Sequence, residues 1–349
     1  MNGELRRARD GVPIDPDEPH GATVVVRRPG LAGPELLLFH RAVNGPAFQG
    51  DRAWTPPSGC RRPGESVYGV ALRELAEGAG LTGLDPWAVD LNRGSGADGS
   101  FDRWPLFAAD LPADSQVDLV DPEHDRCEWL SVQDALARVG PPIVADSVAA
   151  ATRVPSVSLR FRPMVEDDLG SVARWCRNPH VAQWFRGDAA TNEVVRDRLR
   201  PRLTGEVPVR MWVVEVDRRA AGWVQGYLLA DQPEYGAKVG DLDAVGFDYA
   251  IGDPALVGCG LGARMIWEFC RDVLRREYPA APRFVASPSH RNRASLRVLA
   301  KCGFREGLWI DPPTGPREQP DTEVVCTLDV AHWFGAAPGT AGPTARPSA

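Results

Sequence analysis

Two stretches hold side chains whose types and spacing could do chemistry. In "ALRELAEGAGL", Ala71–Leu81, Glu74 and Glu77 share one face of a helix, because residues three and four apart lie above one another. With Glu65 and the Gly59 carbonyl ahead of them, they offer oxygen donors of the kind that hold a hard divalent cation such as Mg2+. Gly78 stands four residues after Glu74, where a further carboxylate would complete the set. It removes a ligand and costs a helix about 1 kcal/mol relative to alanine. Asp102 and Glu128 are acids elsewhere that could supply the missing oxygen. The metal set is therefore Gly59, Glu74 and Glu77.

The second stretch is "VGFDYAIGDPALVGCGLGARM", in which a strand pattern runs into Gly258-x-Gly260-x-Gly262 and then a helix. Glycines let the backbone approach a diphosphate, and a helix N-terminus offers unpaired N–H groups to it. A dinucleotide fold is the obvious rival, but the turn comes after several strands, and no acid closes a short strand about twenty residues on. Asp248 precedes the turn. A carboxylate at a strand end can take a proton from an ammonium group, although an aspartate in isolation reads first as a turn cap or an arginine partner, and only its position and motif favour the chemical role. Asp231, Glu234, Asp241 and Asp243 accompany it against a single Lys238. They form either a rim that draws in a polycation or a solvated acidic loop. Trp184, Trp223, Tyr227 and Tyr235 could floor a sugar-binding cleft or belong to a core.

The elements that must position these groups follow from periodicity. After about twenty polar residues, "ATVVVRR" and "ELLLFHRA" read as strands and "SVYGVALRELAEGAG" as a helix with 3.6-residue spacing. "RWPLFAAD" and "CEWLSV" read as strands and "VQDALARV" as a short helix. Pro141, Pro142 and Pro155 break the pattern, which places a domain boundary near residue 155. A second α/β series then runs from "SLRFRP" to "TEVVCTLDV", before a Pro/Gly-rich end.

The spacing of Gly59, Glu65, Arg73, Glu74, Glu77, Gly80 and Leu81 resembles the Nudix box, lacking only the acid at Gly78. Over residues 20–152 the resemblance implies an α/β/α sandwich, a nucleotide ligand and Mg2+-dependent cleavage of nucleoside diphosphates. The glycine turn together with "NRASLRVLAKCGF" resembles the GCN5-related N-acetyltransferases (GNATs), most of all the aminoglycoside 6′-N-acetyltransferases. "SLRFRPMVEDDLGSVARWCRNPHVAQWF" and "GWVQGY" carry the same likeness. Over residues 157–330 it implies a mixed-sheet GNAT fold that uses acetyl-CoA to acetylate a small-molecule amine.

In that family the diphosphate lies on the turn here formed by Val257, Gly258, Cys259, Gly260, Leu261, Gly262 and Ala263, and Asn292 lies beside the pantetheine. The backbone of Tyr249, Ala250 and Ile251 would polarise the thioester, and Asp248 would be the base. Trp184, Tyr227, Asp231, Asp241 and Asp243 are the expected substrate contacts. Two positions depart from the pattern. Leu299 replaces a tyrosine that protonates the leaving thiolate, and Ser287 replaces an aspartate that holds the substrate. The alternatives are a nucleoside diphosphate hydrolase led by the first domain and a siderophore-type lysine acyltransferase, although the latter usually has histidine at the place of Asp248. Residues 153–156 are expected to be a linker and 331–349 a disordered tail.

Composition bounds these readings. With 349 residues, 43% of them hydrophobic and 25% charged, the chain is long enough for two cores. A net charge of -7 argues against nucleic acid as a partner. Seven scattered cysteines form no C-x-x-C pair, and no apolar run approaches the ~18 residues of a membrane span. A cytoplasmic protein that binds no membrane is expected. The sequence does not address its oligomeric state.

Overall fold

Aliphatic runs become the central strands of two seven-stranded sheets in the computed structural model, which describes residues 6–8, 11–42, 53–93, 104–185, 191–311 and 322–336. The first sheet contains β1 (Gly21–Gly30), β2 (Gly33–Arg41), β3 (Trp54–Thr55) and β4 (Ser58–Cys60). Helix α1 (Val67–Ala79) follows, and then β5 (Trp87–Asp90), β6 (Leu106–Asp110) and β7 (His124–Ser131). Helices α2 (Val132–Arg138) and α3 (Pro142–Arg153) end this half. The strand order is β3-β2-β1-β6-β5, with β4 beside β1 and β7 beside β2. Val24, Val25 and Val26 of β1 are wholly buried, as a strand covered on both faces must be.

Helix α1 begins where the Ser66 side chain accepts a hydrogen bond from Gly69 N–H, and it ends at Gly80, whose φ of 64° is the left-handed cap glycine tolerates. Its buried face, Val67, Val70, Ala71 and Leu75, lies in the core with the first sheet.

The second half opens with β8 (Leu159–Pro163), α4 (Leu169–Cys176), α5 (Pro179–Phe185) and α6 (Asn192–Leu203). Next come β9 (Arg210–Val216), β10 (Arg219–Leu228), α7 (Pro233–Val239) and β11 (Val245–Ile251). Helix α8 (Leu261–Glu268) passes through a π-helical stretch, Phe269–Leu274, into α9 (Arg275–Glu277). The chain continues through β12 (Arg283–Ala286), α10 (Arg293–Lys301), β13 (Arg305–Ile310), β14 (Glu323–Asp329) and α11 (Val330–Phe334). The order of this sheet is β13-β14-β12-β11-β10-β9-β8. Alternation sends Trp212 and Phe247 to one face, where both rings meet Phe269. Met211, Val213, Trp223 and Ala250 go to the other face, in a core shared with Leu169, Val172, Val195 and Leu199.

Three expectations are corrected. The Pro141–Pro142 punctuation opens a helix, α3, with a proline at its first turn, where the missing N–H has no intrahelical partner. The stretch expected as a linker, 153–156, is packed rather than free. Arg153 closes α3, and Val154 is buried with its carbonyl accepting from Arg27 (2.6 Å). The tail expected from 331 starts as α11, with Trp333 and Phe334 buried; residues 337–349 lie outside the described residues, as does Asp102. No helix among the described residues is long and apolar enough to cross a membrane.

The two halves share one apolar cluster. Trp267 of α8 lies 5.7 Å from Tyr68, 5.4 Å from Phe107 and 4.5 Å from Phe334, ring centre to ring centre. Its indole N–H donates to the Pro86 carbonyl (3.1 Å). Trp267→Ala is expected to cost about 3–5 kcal/mol and to weaken both halves, since the ring packs against each. Urea unfolding read by far-UV circular dichroism checks this, and an unmoved midpoint would contradict it.

Candidate functional site

Strand β11 is paired on one side along its whole length and on the other only at its start. It runs antiparallel to β10 from Val245–Leu228 to Ile251–Gly222. Its parallel pairing with β12 covers only Val245–Phe284 and Gly246–Val285. Beyond Gly246 the two parallel strands part.

The hydrogen bonds flanking the β10–β11 ladder fix which amides face the gap. Leu229 N–H donates to the Ala244 carbonyl (3.0 Å) and Gly252 N–H to the Ala221 carbonyl (2.7 Å). The alternation of an antiparallel ladder then turns the Asp248 and Ala250 amides toward β10. It leaves the Tyr249 and Ile251 amides facing the parted side. Backbone N–H groups require a partner, so this slot suits an acceptor oxygen from a ligand.

Asp248 lies opposite Gln225 in the ladder, and its Oδ2 accepts from Gln225 Nε2 (2.6 Å). Gln225 Oε1 in turn accepts from Arg202 Nη1 on α6 (2.5 Å), and the Tyr227 hydroxyl also bonds to the carboxylate. Burial raises the Asp248 carboxyl above the ordinary range, and the Gln225, Arg202 and Tyr227 contacts hold it back. Burial likewise pushes the Tyr227 phenol well up, which keeps it a neutral donor. Gly246 makes room for this arrangement, since a Cβ there would stand 2.5 Å from Tyr227 Cε2. Sequence reasoning missed Gln225 and Arg202. Gln225 lies two residues from Tyr227 on the same strand face, but only the pairing register puts it against Asp248.

The glycine turn takes the form its spacing implied. Gly258 (φ 83°) and Gly260 (φ 86°) are left-handed, and Gly260 begins α8 without a side-chain cap. The first N–H groups of α8, at Leu261, Gly262 and Ala263, have no intrahelical acceptor. Val257, Gly258 and Gly260 are exposed, and Cys259 lies between them with its thiol directed at the Leu256 carbonyl. Exposed amides with a helix N-terminus behind them fit a diphosphate.

Other expected contacts fare differently. Asn292 Oδ1 caps α10 by accepting from Ser295 N–H (3.1 Å), a structural task alongside the one expected of it. The Tyr249 hydroxyl meets Ser295 Oγ (2.5 Å), tying β11 to α10, while Leu299 is fully buried. Tyr235 donates to Ser287 Oγ (2.5 Å), so the residue at the place of the family's aspartate neighbours the Tyr227–Tyr235 ring pair. Trp184 is half-buried on α5, and Trp223 is buried against Phe185. Asp231 and Asp243 are exposed, whereas Asp241 is engaged by Arg283. Among the described residues no hydrogen bond links these three acids to Asp248.

In the first half, Gly59 lies so close to Glu74 that a Cβ would stand 1.9 Å from its Oε1. Arg73 donates to Glu65 (2.8 Å), Glu74 (2.5 Å), Glu77 (3.1 Å) and the Cys60 carbonyl (2.8 Å), and Arg62 adds a bond to Glu77 (3.1 Å). Burial works against the charge on Arg73, but these carboxylates outweigh it and raise its pKa. Burial raises that of Glu74, with Arg73 opposing. The acids are thus neutralised by guanidinium groups. Gly78 is buried, and a Cβ there would touch only Phe39, at 3.8 Å. Among the described residues no group of three or more His, Cys, Asp or Glu could hold a metal ion. With Arg73 on Glu65, Glu74 and Glu77, the described acids do not offer the converging free oxygens that Mg2+ needs.

Comparison with known proteins agrees with this division. Residues 164–311 match the family described as "Acetyltransferase (GNAT) domain" and residues 18–150 the "NUDIX domain". The chain thus carries a region matching the NUDIX domain followed by one matching the acetyltransferase (GNAT) domain.

Two curated relatives, aminoglycoside N(6′)-acetyltransferase type 1 of Klebsiella pneumoniae and of Serratia marcescens, are each 24% identical over 162 residues. That match covers 46% of this chain and 80% of theirs. Among solved structures, aminoglycoside acetyltransferase AAC(6′)-Ib in complex with coenzyme A aligns with 19% identity and a TM-score of 0.42, over 50% of this chain and 97% of that one. An uncharacterized protein of Bacillus halodurans aligns with 16% identity and a TM-score of 0.45, over 51% and 86%.

Gly246→Ala tests how the site is packed. The added methyl is expected to displace the Tyr227 ring and to cost about 1–3 kcal/mol, as overpacked cores do. A denaturation midpoint equal to that of the unaltered chain would show that the ring has room to move.

Proposed function

We propose that the GNAT domain transfers an acetyl group from acetyl-CoA to a primary amine of a small polycation of the aminoglycoside class. One juxtaposition carries the reading: a half-buried carboxylate on β11, held by Gln225 and Tyr227, next to amides of the same strand that face away from β10 where the pairing with β12 has ended. Acetyl-CoA would supply a thioester whose carbonyl oxygen needs N–H donors as negative charge develops on it. Tyr249 and Ile251 offer those donors, and the Val257–Ala263 turn offers amides to the diphosphate. Asp248 would accept the proton that the attacking ammonium must lose and would attract the cation before that.

The curated relatives are aminoglycoside acetyltransferases by name, which supports the same acceptor class. A lysine acyltransferase draws less support, because the base is an aspartate. Hydrolysis led by the NUDIX domain draws less again, because Arg73 occupies Glu65, Glu74 and Glu77.

The test is thiol release from acetyl-CoA in the presence of kanamycin-like amines, polyamines and hydroxylysine. Aminoglycosides are expected to drive it, and Asp248→Asn to slow it by about 10²–10⁴-fold, the usual loss of a general base. An unchanged rate in that variant would remove Asp248 from the chemistry.

The fold should not suffer in Asp248→Asn. A carboxyl whose pKa is raised on folding weakens the fold as pH climbs from the ordinary carboxylate value through the raised one. That cost is fully present once the pH is above the raised value, so an uncharged asparagine should hold or raise the melting temperature on that side, most clearly at alkaline pH.

Gln225→Leu removes a bond that favours the ionised form. The acid limb of kcat/KM is expected to move to higher pH, and a limb that stays put or moves lower would separate Gln225 from the titration of Asp248.

A further inference from the structure

The helix that opens the proposed diphosphate turn is gripped by the other domain through buried charge. Arg264, in the first turn of α8, is 7% exposed. Its Nε donates to Glu268 (2.7 Å), and its Nη1 donates to Asp110 Oδ2 (3.2 Å) at the end of β6 in the NUDIX domain. The other oxygen of Asp110 accepts from Arg27 Nε (2.7 Å), and Arg27 is 2% exposed. Arg27 Nη1 also donates to the Ala151 and Val154 carbonyls (2.8 and 2.6 Å). Both guanidinium groups lie by the Trp87 ring, 4.8 and 4.7 Å from its centre.

Two cations and two anions balance in a cluster of which only Asp110, 29% exposed, reaches the surface. Such a group is costly to form, and removing one member leaves an uncompensated charge. Val154, held by Arg27, reaches the turn itself, since a Cβ on Gly260 would stand 2.9 Å from Val154 Cγ2. Further along the same side, Trp267 and Arg271 both donate to the Pro86 carbonyl (3.1 and 3.0 Å). The start of α8 is therefore set by contacts from the first domain on one side, while its free amides point to the turn.

Resting on the reading that this turn holds the acetyl donor, we propose that the NUDIX domain serves as part of the donor site, with Asp110 as a positioning residue for the α8 N-terminus. Asp110 acts through Arg264 and Arg27, not on the donor. Its neutralisation should loosen the start of α8 and so weaken donor binding, with little effect on the chemistry at Asp248.

In the full chain, Asp110→Asn is expected to raise KM for acetyl-CoA by about 5–50-fold, within the usual range of coupling between sites. The kcat at saturating donor and the KM of the amine should stay within about twofold of their original values, and Asp110→Glu should recover most of the loss. A variant that lowers the melting temperature yet leaves KM for acetyl-CoA unchanged would reduce the network to a structural one and overturn the proposal. Amide hydrogen exchange on the unaltered chain gives a second readout that needs no variant. Coenzyme A should slow exchange at residues 106–110 and 151–156 as well as at the turn. Slowing confined to the second domain would overturn the coupling alone, whereas no binding of coenzyme A at all would overturn the reading of the turn with it.

Discussion

Past Gly246, β11 keeps β10 as a partner and parts from β12. A strand in mid-sheet normally satisfies its amides on both sides, and an amide left facing a gap asks for something else to fill it. The parting puts that demand beside a carboxylate and just ahead of a turn lined with amides. Nothing about Asp248 alone would distinguish it from a structural aspartate. Its place in the ladder, opposite Gln225 and on the face opposite Phe247, gives it a use.

The same economy governs charge. Asp248 is enclosed enough to hold its proton more firmly than a surface aspartate, yet two donors, Gln225 and Tyr227, and the charge of Arg202 favour its ionised form. A carboxylate in that condition suits the proton-accepting role proposed for it. In the NUDIX domain the balance falls the other way. Arg73 spans three glutamates, and the described part of that site has no convergent set of bare oxygens for a cation. The two halves also meet through a compact charge cluster and the Trp267 ring, so the chain is not two beads on a string.

Much of this was legible in the sequence. The α1 helix, the box spacing, the glycine turn and the strand that carries Asp248 follow from periodicity and positive-φ chemistry, and both family resemblances hold. What escaped was tertiary. Gln225 is an ordinary strand residue until register sets it against Asp248, and Arg202 reaches it from a helix whose apolar pattern is faint. Pro141 and Pro142 read as a break because a proline at a helix start resembles one in a loop. Asp241 looked like a free acid in a rim because its partner, Arg283, lies on a strand far along the chain. Residues 331–336 looked like tail because the rings that bury Trp333 and Phe334 come from distant segments.

The parted strands are the claim on which the acetyl-transfer account stands, and amide chemical shifts read them directly. In a titration of the isotope-labelled chain with acetyl-CoA, the Tyr249 and Ile251 amides should move with saturation, together with those of Gly258 to Ala263. The Asp248 and Ala250 amides, already paired with β10, should move far less. Shifts at the turn with Tyr249 and Ile251 unmoved would mean that the slot meets no thioester, and the account of the site would be wrong.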